Sequence, residues 1–271
     1  MSNGKNYMSN RHGVLQQLYH VQVPELEILK CGECRPNYWN YPESRFRYWC
    51  FYWNATPGAV IVSNGRTFEL TPEKAVLIPP FTPFATEMRM PFSHFYVHFS
   101  GDGILERVRP GIIGISGTIA ANCVENIPQS HLAGAAAAVY ALLYQAIAQI
   151  PAESFTGNEE SVMDKKIRKI IDIMYEHPGD LPGNRQLCRM TGMNINEFYT
   201  VFKKETGLSP RQYLLMLRME HASQSLRHSK LSIDEIAEKY GFADRYHFSK
   251  SFRKYFGLPP VEFRRRHDIQ V

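Results

Sequence analysis

The hydrophobic pattern divides the chain into a β-patterned first half and a helix-patterned second half. Between residues 20 and about 120, apolar and aromatic residues come in short runs bounded by Gly, Pro and Asn. Arg45–Trp53 (RFRYWCFYW) and Ser93–Phe99 (SHFYVHF) read as strands. Ala59–Leu70 carries Asn64-Gly65 between two such runs, a pair that supplies the positive φ angles of a two-residue hairpin turn. Ala75–Ile78 is a further strand, stopped by Pro79-Pro80, because proline cannot donate to a ladder. Many short strands at this spacing predict a barrel or sandwich. From about residue 130 the apolar positions fall at helical steps. Pro151–Ser161 reads as a linker of small and polar residues, and helices resume at Met163.

Leu132–Ile150 (LAGAAAAVYALLYQAIAQI) is nearly long enough to cross a bilayer, but it is dominated by alanine and carries Gln145 and Gln149. It is expected as a buried or dimerising helix, with Tyr140, Leu143, Tyr144 and Ile147 on one stripe.

Charge sharpens the division. Residues 163–271 hold 20 Lys and Arg against 13 Asp and Glu; residues 1–162 hold 11 against 13. A basic half beside a weakly acidic half points to one domain that meets a polyanion. The five cysteines, Cys31, Cys34, Cys50, Cys123 and Cys188, are odd in number and scattered. With a polar start lacking an apolar signal core, they imply a reducing cytoplasm. Cys31-x2-Cys34 has no second pair and no βαβ setting, so two ordinary cysteines are expected.

The second half repeats itself. Leu187–Pro210 (LCRMTGMNINEFYTVFKKETGLSP) and Ile236–Pro260 (IAEKYGFADRYHFSKSFRKYFGLPP) share their spacing. Gly192 and Gly241 each lie five residues after the leading aliphatic residue. Phe198 and Phe202 are four apart, as are Phe248 and Phe252. Gly207 and Gly257 follow the second Phe by five, and Pro210 and Pro260 come three later. The first glycine suits a left-handed turn between two helices. The paired Phe anchor one face of the next helix and leave its other face polar. Two helices so joined, with a polar second helix and basic residues behind it, form the unit that enters a DNA major groove.

Ile167–Arg266 resembles the DNA-binding region of the AraC/XylS family of transcription regulators. The resemblance is carried by Ile233–Arg266 (IDEIAEKYGFADRYHFSKSFRKYFGLPPVEFRRR) and by Arg218-x3-Ala222-x3-Leu226 in the connecting helix. The first copy departs from the pattern at Cys188, where Ala is usual, and at Asn194, where Ser is common. The resemblance places recognition helices at Ile195–Lys203 and Arg245–Lys254. Outward base-reading positions then fall on Asn196, Tyr199 and Thr200, and on Arg245, His247 and Lys250. Arg245 suits a bidentate contact to guanine and Asn196 a pairing with adenine. Lys203, Lys204, Arg253 and Lys254 are expected on phosphates.

The same resemblance implies an α+β two-domain chain: residues 1–150 a cupin-like effector-binding and dimerisation barrel with following helices, 151–162 a linker, and 163–271 an all-α domain with two helix-turn-helix units. Within the barrel, the effector candidates are Arg47, Trp49 and Trp53 on one strand, and His94, Tyr96 and His98 on another. Residues 58–70 contain no His, so neither a metal nor any other cofactor is expected. The implied function is a cytoplasmic regulator, an activator, that binds double-stranded DNA as a homodimer, answers to a small molecule such as a sugar, and works with RNA polymerase. Two alternatives stand beside it. One is a ligand-independent DNA binder whose barrel serves oligomerisation. The other is a cupin-type enzyme, against which the lack of a metal triad, phosphate loop or nucleophile elbow counts.

Overall fold

The computed structural model describes residues 24–127, 131–156, 163–180 and 182–267. Among the described residues the first half contains eight strands. A five-stranded antiparallel sheet is built from β1 (Leu26–Cys34), β7 (His94–Gly101), β2 (Trp49–Asn54), β5 (Lys74–Ile78) and β8 (Ile113–Ser116), in that spatial order. A three-stranded sheet has β3 (Ala59–Ser63) between β4 (Arg66–Leu70) and β6 (Ala85–Met88). The expected hairpin joins β3 to β4, with Asn64 at φ 49° and Gly65 at φ 73°. The predicted barrel is thus realised as two antiparallel sheets, one of which is covered on both faces.

That double cover explains why all six residues of β2 are buried. Cys50 and Tyr52 of β2, with Val76 and Ile78 of β5, meet Ala59, Ile61 and Leu70 of the small sheet. Trp49, Phe51 and Trp53 point the other way. They pack with Phe95, Val97 and Phe99 against two helices, α1 (Thr118–Asn126) and α2 (Leu132–Ile147). Complete burial of one such aromatic side chain stabilises by roughly 1.5–3 kcal/mol, so this layer is the main core of the first half.

Two expectations bear on the end of this half. Helix α2 turns Val139, Leu142, Leu143 and Ala146 onto its own sheet. The stripe Tyr140, Leu143, Tyr144 and Ile147 is therefore not a free face. Leu143 is in the core, Ile147 packs against it, and the Tyr144 hydroxyl donates to the Pro24 carbonyl at 3.1 Å. Among the described residues no helix is long and apolar enough to cross a membrane. The start of the expected linker is also structured. Ala152–Ser154 form a 3₁₀ turn, Phe155 bridges to Val108, and Thr156 N–H donates to Arg107 O at 2.8 Å. Residues 157–162 lie outside the described part.

The second half is helical: α3 (Lys165–Glu176), α4 (Asn184–Thr191), α5 (Ile195–Thr206), α6 (Pro210–His228), α7 (Ile233–Lys239), α8 (Arg245–Phe256) and α9 (Pro260–His267). It holds two cores. One gathers Ile167, Ile170, Met174, Leu187, Phe198, Phe202 and Tyr213. The other gathers Met219, Ala222, Leu226, Ile236, Phe248, Phe252 and Phe263. The β-rich half completes both, with Phe81 packed on the first and Tyr38 buried in the second. Helix α6 runs between the cores. It starts on a Ser209 capping box with Pro210 in its first turn.

Candidate nucleic-acid interface

The sequence repeat is a structural repeat. Helix α4 ends on Gly192 at φ 68°, and the equivalent turn after α7 holds Gly241 at φ 69°. Helices α5 and α8 end on Gly207 at φ 73° and Gly257 at φ 75°. Each of these backbone positions favours glycine, because a Cβ there crowds the chain. Asn194 Oδ1 accepts from Glu197 N–H at 3.0 Å, and Asp244 Oδ1 accepts from His247 N–H at 2.7 Å, so the two helices start on matched caps. Asn194 therefore does the capping work that Ser does elsewhere, and its departure from the family pattern leaves the first helix intact. Cys188, the other departure, is half-buried against the first core.

Arg218 explains its place in the connecting-helix pattern. Its Nε donates to Pro178 O at 2.7 Å and its Nη1 to Gly241 O at 3.0 Å. One side chain thus stitches the end of the α3 region to the turn of the second unit. Ala222 and Leu226, on the same helix, are fully buried in the second core.

Phe198, Phe202, Phe248 and Phe252 are fully buried, which fixes the opposite faces of α5 and α8 toward solvent. On α5, Asn196, Thr200, Lys203 and Lys204 are exposed. Tyr199 is not: it is half-buried and lies edge-on to Phe198, so it serves the first core as much as the outer face. On α8, Arg245, His247, Lys250, Arg253 and Lys254 are all exposed. Arg245 Nη1 reaches Asp234 of α7 at 3.2 Å, and His247 Nδ1 lies 3.5 Å from Asp244.

Superposing the two copies by sequence exposes an inconsistency in the predicted set. Ile195 matches Arg245, and Asn196 matches Tyr246. Tyr246 is 73% exposed and Ile195 46%, and neither was among the candidates. Carrying the outward register of one copy onto the other would have found both. Tyr246 offers an amphipathic ring, and Ile195 an apolar tip suited to a thymine methyl.

The effector candidates separate into two places. Tyr52 pairs across from Tyr96 and Asn54 from His94, so these side chains share the face toward the small sheet. There His94 Nδ1 meets Asn54 Oδ1 at 2.8 Å, and Tyr52 Oη meets His98 Nε2 at 3.1 Å. Trp39 closes over His94 with ring centroids 5.3 Å apart. Burial holds both imidazoles far below the ordinary histidine range, each to about 3, so both are neutral near pH 7. Asn54 Nδ2 is buried without a partner among the described residues.

Trp49 and Trp53 lie on the opposite face of that sheet and cannot share a pocket with the histidines. Arg47 sits before β2 and turns to the helical half, pairing with Asp172 at 2.5 Å and covering the Tyr175 ring at 3.8 Å. Arg47 and Trp49 instead line a cavity of about 250 Å³ between the halves, with Phe81, Leu105, Ile171 and Asp172. Cys31 and Cys34 are three apart on β1, which puts them on opposite faces.

Comparison with known proteins agrees with this geometry. Residues 187–266 match the helix-turn-helix domain family. The chain is 27% identical over 228 residues to the Msm operon regulatory protein of Streptococcus mutans serotype c, covering 74% of this chain and 78% of that protein. It is 25% identical over 263 residues to the raffinose operon transcriptional regulatory protein RafR of Pediococcus pentosaceus, covering 89% and 94%. Among solved structures, ToxT from Vibrio cholerae strain SCE256 superposes with a TM-score of 0.64, covering 90% of this chain and 97% of that one. At 12% identity that likeness establishes a common two-domain fold.

Proposed function

We propose that the chain is a DNA-binding transcriptional regulator of the AraC/XylS family and that it activates an operon in response to a small polyhydroxy effector of the carbohydrate class. Two relatives are named for operons, one of them the raffinose operon, and both align across most of this chain. One observation carries the sensing part of this reading. A neutral polar cluster, His94, His98, Tyr52 and Asn54, is buried between the sheets beside Trp39 and Tyr96, and Asn54 Nδ2 has no partner among the described residues. Neutral imidazoles and an amide both donate and accept, which is what hydroxyl groups need, and aromatic rings suit the C–H face of a sugar. An unpartnered buried amide donor costs about 1–3 kcal/mol, which a ligand hydroxyl would recover.

On the DNA side, α5 and α8 enter successive major-groove segments. Asn196, Thr200, Arg245, His247 and Lys250 read bases, and Lys203, Lys204, Arg253 and Lys254 hold phosphates. A second copy brings paired half-sites under one regulator, and contact with RNA polymerase completes activation. The effector acts only as far as it binds the two arrangements of the domains with different affinity.

The tight ring packing between the sheets favours a second reading, in which that domain is a fixed scaffold without a ligand. Thermal unfolding across a panel of mono- and oligosaccharides decides between them. A bound effector at 100 times its dissociation constant raises stability by about 2.7 kcal/mol, and Asn54→Ala should abolish that gain. If no sugar moves the wild-type midpoint while specific DNA binding persists, the scaffold reading stands.

A further inference from the structure

The segment between β1 and β2 touches both recognition helices, and it touches them at the same place. Tyr38 Oη lies 2.6 Å from Phe256 O and equally 2.6 Å from Asn40 O, so its one proton is shared between a helix-end carbonyl and its own segment. Arg45 Nη1 donates to Thr206 O at 2.6 Å. Thr206 and Phe256 are equivalent in the repeat: each is the last residue of its recognition helix, immediately before the left-handed glycine. Carbonyls at a helix C-terminus lack intrahelical donors and carry the negative end of the helix dipole. A hydroxyl donor and a guanidinium are the groups such ends attract.

Both contacts are built rather than incidental. Tyr38 is buried in the second core, edge-on to Phe263, and Tyr41 beside it packs on Phe256. Arg227 of α6 donates to the Tyr41 hydroxyl at 2.5 Å. On the other side, a Cβ at Gly207 would lie 2.0 Å from Arg45 Nη1, so the guanidinium occupies the space that glycine leaves. The segment is also fixed to its own domain. Ser44 and Phe84 exchange backbone hydrogen bonds of 2.6 and 3.0 Å, Tyr41 N–H donates to Thr86 Oγ1 at 3.1 Å, and Asn40 Oδ1 accepts from Met88 N–H at 2.6 Å.

The geometry matters because α6 alone cannot set how the two units face each other. Its 19 residues form a rod of roughly 28 Å, and beside it Arg218 bridges Pro178 to Gly241 while Tyr255 packs on both cores. Tyr38 and Arg45 are seven residues apart, so their Cα atoms are within about 25 Å of each other however the chain runs. Tying both helix ends to this one anchored segment adds a second brace between the units.

We propose that Tyr38 and Arg45 are positioning residues for DNA recognition: acting through α5 and α8, they fix the offset between the recognition helices, so that the full chain accepts one spacing between its two base-reading elements. The inference rests on both helices reading DNA. It assigns the β-rich domain a role in choosing the operator, beyond sensing. The next residue, Trp39, packs inward on His94, which puts the clamp one residue from the buried polar cluster.

The test is selection by the full-length protein from DNA libraries in which the spacing between the two elements steps by single base pairs around one helical turn, ~10 bp. Wild type should favour one spacing over its neighbours by about tenfold, equivalent to about 1.4 kcal/mol. Tyr38→Phe, which deletes one hydroxyl, and Arg45→Gln should each flatten that preference while keeping the base preference within each element. Arg45→Lys, which keeps a cationic donor, should restore part of it. Arg89→Gln, on the far small sheet, should match wild type. Folded variants that keep the wild-type spacing preference, or that lose affinity equally at every spacing, overturn the proposal. So does an equal flattening in Arg89→Gln. If wild type enriches no sequence at all, the proposal falls together with DNA reading by the two helices.

Discussion

Removing the Arg245 guanidinium separates folding from reading. In the free protein this side chain is 55% exposed, and its ion pair among the described residues is with Asp234, itself 65% exposed, at 3.2 Å. Such a pair contributes about 0.2–1 kcal/mol, so Arg245→Ala should leave the unfolding midpoint nearly unchanged. If Arg245 makes a bidentate contact to guanine, its loss costs about 1–3 kcal/mol of discrimination at that base pair. That is roughly a 5- to 150-fold drop in the preference for the cognate base. DNA must also draw Arg245 away from Asp234, so Asp234→Asn should tighten specific binding modestly. The assay is fluorescence anisotropy on the selected site and on the same site with that guanine replaced, across a salt series. The expected result is that Arg245→Ala equalises the two DNAs and leaves non-specific affinity in place. Lys254→Ala, by contrast, should weaken both DNAs equally and reduce the salt slope by about one. If Arg245→Ala behaves as Lys254→Ala does, Arg245 holds a phosphate and the base-reading assignment is wrong. If it changes neither DNA, α8 does not enter the groove by its N-terminal end.

Two further substitutions test the framework. Gly192 and Gly241 share a left-handed backbone, but a Cβ at Gly192 meets nothing closer than Lys166 Nζ at 4.0 Å. At Gly241 it would lie 2.5 Å from Gly179 O and 2.7 Å from Arg218 Nη2. In urea unfolding, Gly192→Ala should therefore cost only the backbone term, about 1–2 kcal/mol, and Gly241→Ala clearly more; equal costs would refute the placement of Arg218 and Gly179. Glu220 of α6 is buried facing Tyr48, Tyr213 and Tyr255, and its Oε1 has no partner among the described residues. Burial raises its pKa well above the ordinary carboxyl value, so the folded state holds the proton more tightly than the unfolded state. Its contribution is intact below the unfolded value of about 4.3 and is lost as pH rises through the folded one. Glu220→Gln should therefore be more stable than wild type at alkaline pH and should flatten this fall. A variant that is less stable there, with the same slope, would show that the carboxylate is solvated.

Where the sequence predicted well, the deciding interactions are local. Gly192 and Gly241 sit at the turns because only a left-handed residue closes them, and spacing alone shows it. The same holds for the paired Phe and for Asn64-Gly65 in the hairpin. Strand alternation also sorted each strand correctly within itself: Trp49 with Trp53, and His94 with Tyr96 and His98. What it could not supply is which face of β2 meets which neighbour. A strand buried on both sides shows no polar face, so the tryptophans and the histidines both read as pocket residues while a sheet separates them. On α2 the run of alanines blurs the apolar phase, and the stripe was placed one residue, about 100° of helix, away from Val139, Leu142 and Ala146.

The segment Asn37–Arg47 was legible in neither way, and the reason is physical. It has no hydrophobic period, because its residues serve three surfaces in turn: Tyr38 the second unit, Trp39 the space between the sheets, and Arg45 the first unit. Its partners lie 161 and 218 residues away in sequence, and their backbone carbonyls leave no mark in any side chain. This segment joins the β-rich half to the helical half. A helix C-terminus must satisfy its carbonyls somewhere, and here the donors come from the other domain. The repeat that made the DNA-binding units recognisable thus also created two equivalent sets of unfilled acceptors. One short segment fills a carbonyl in each, so the β-rich domain can act on both reading heads together, without touching the DNA itself.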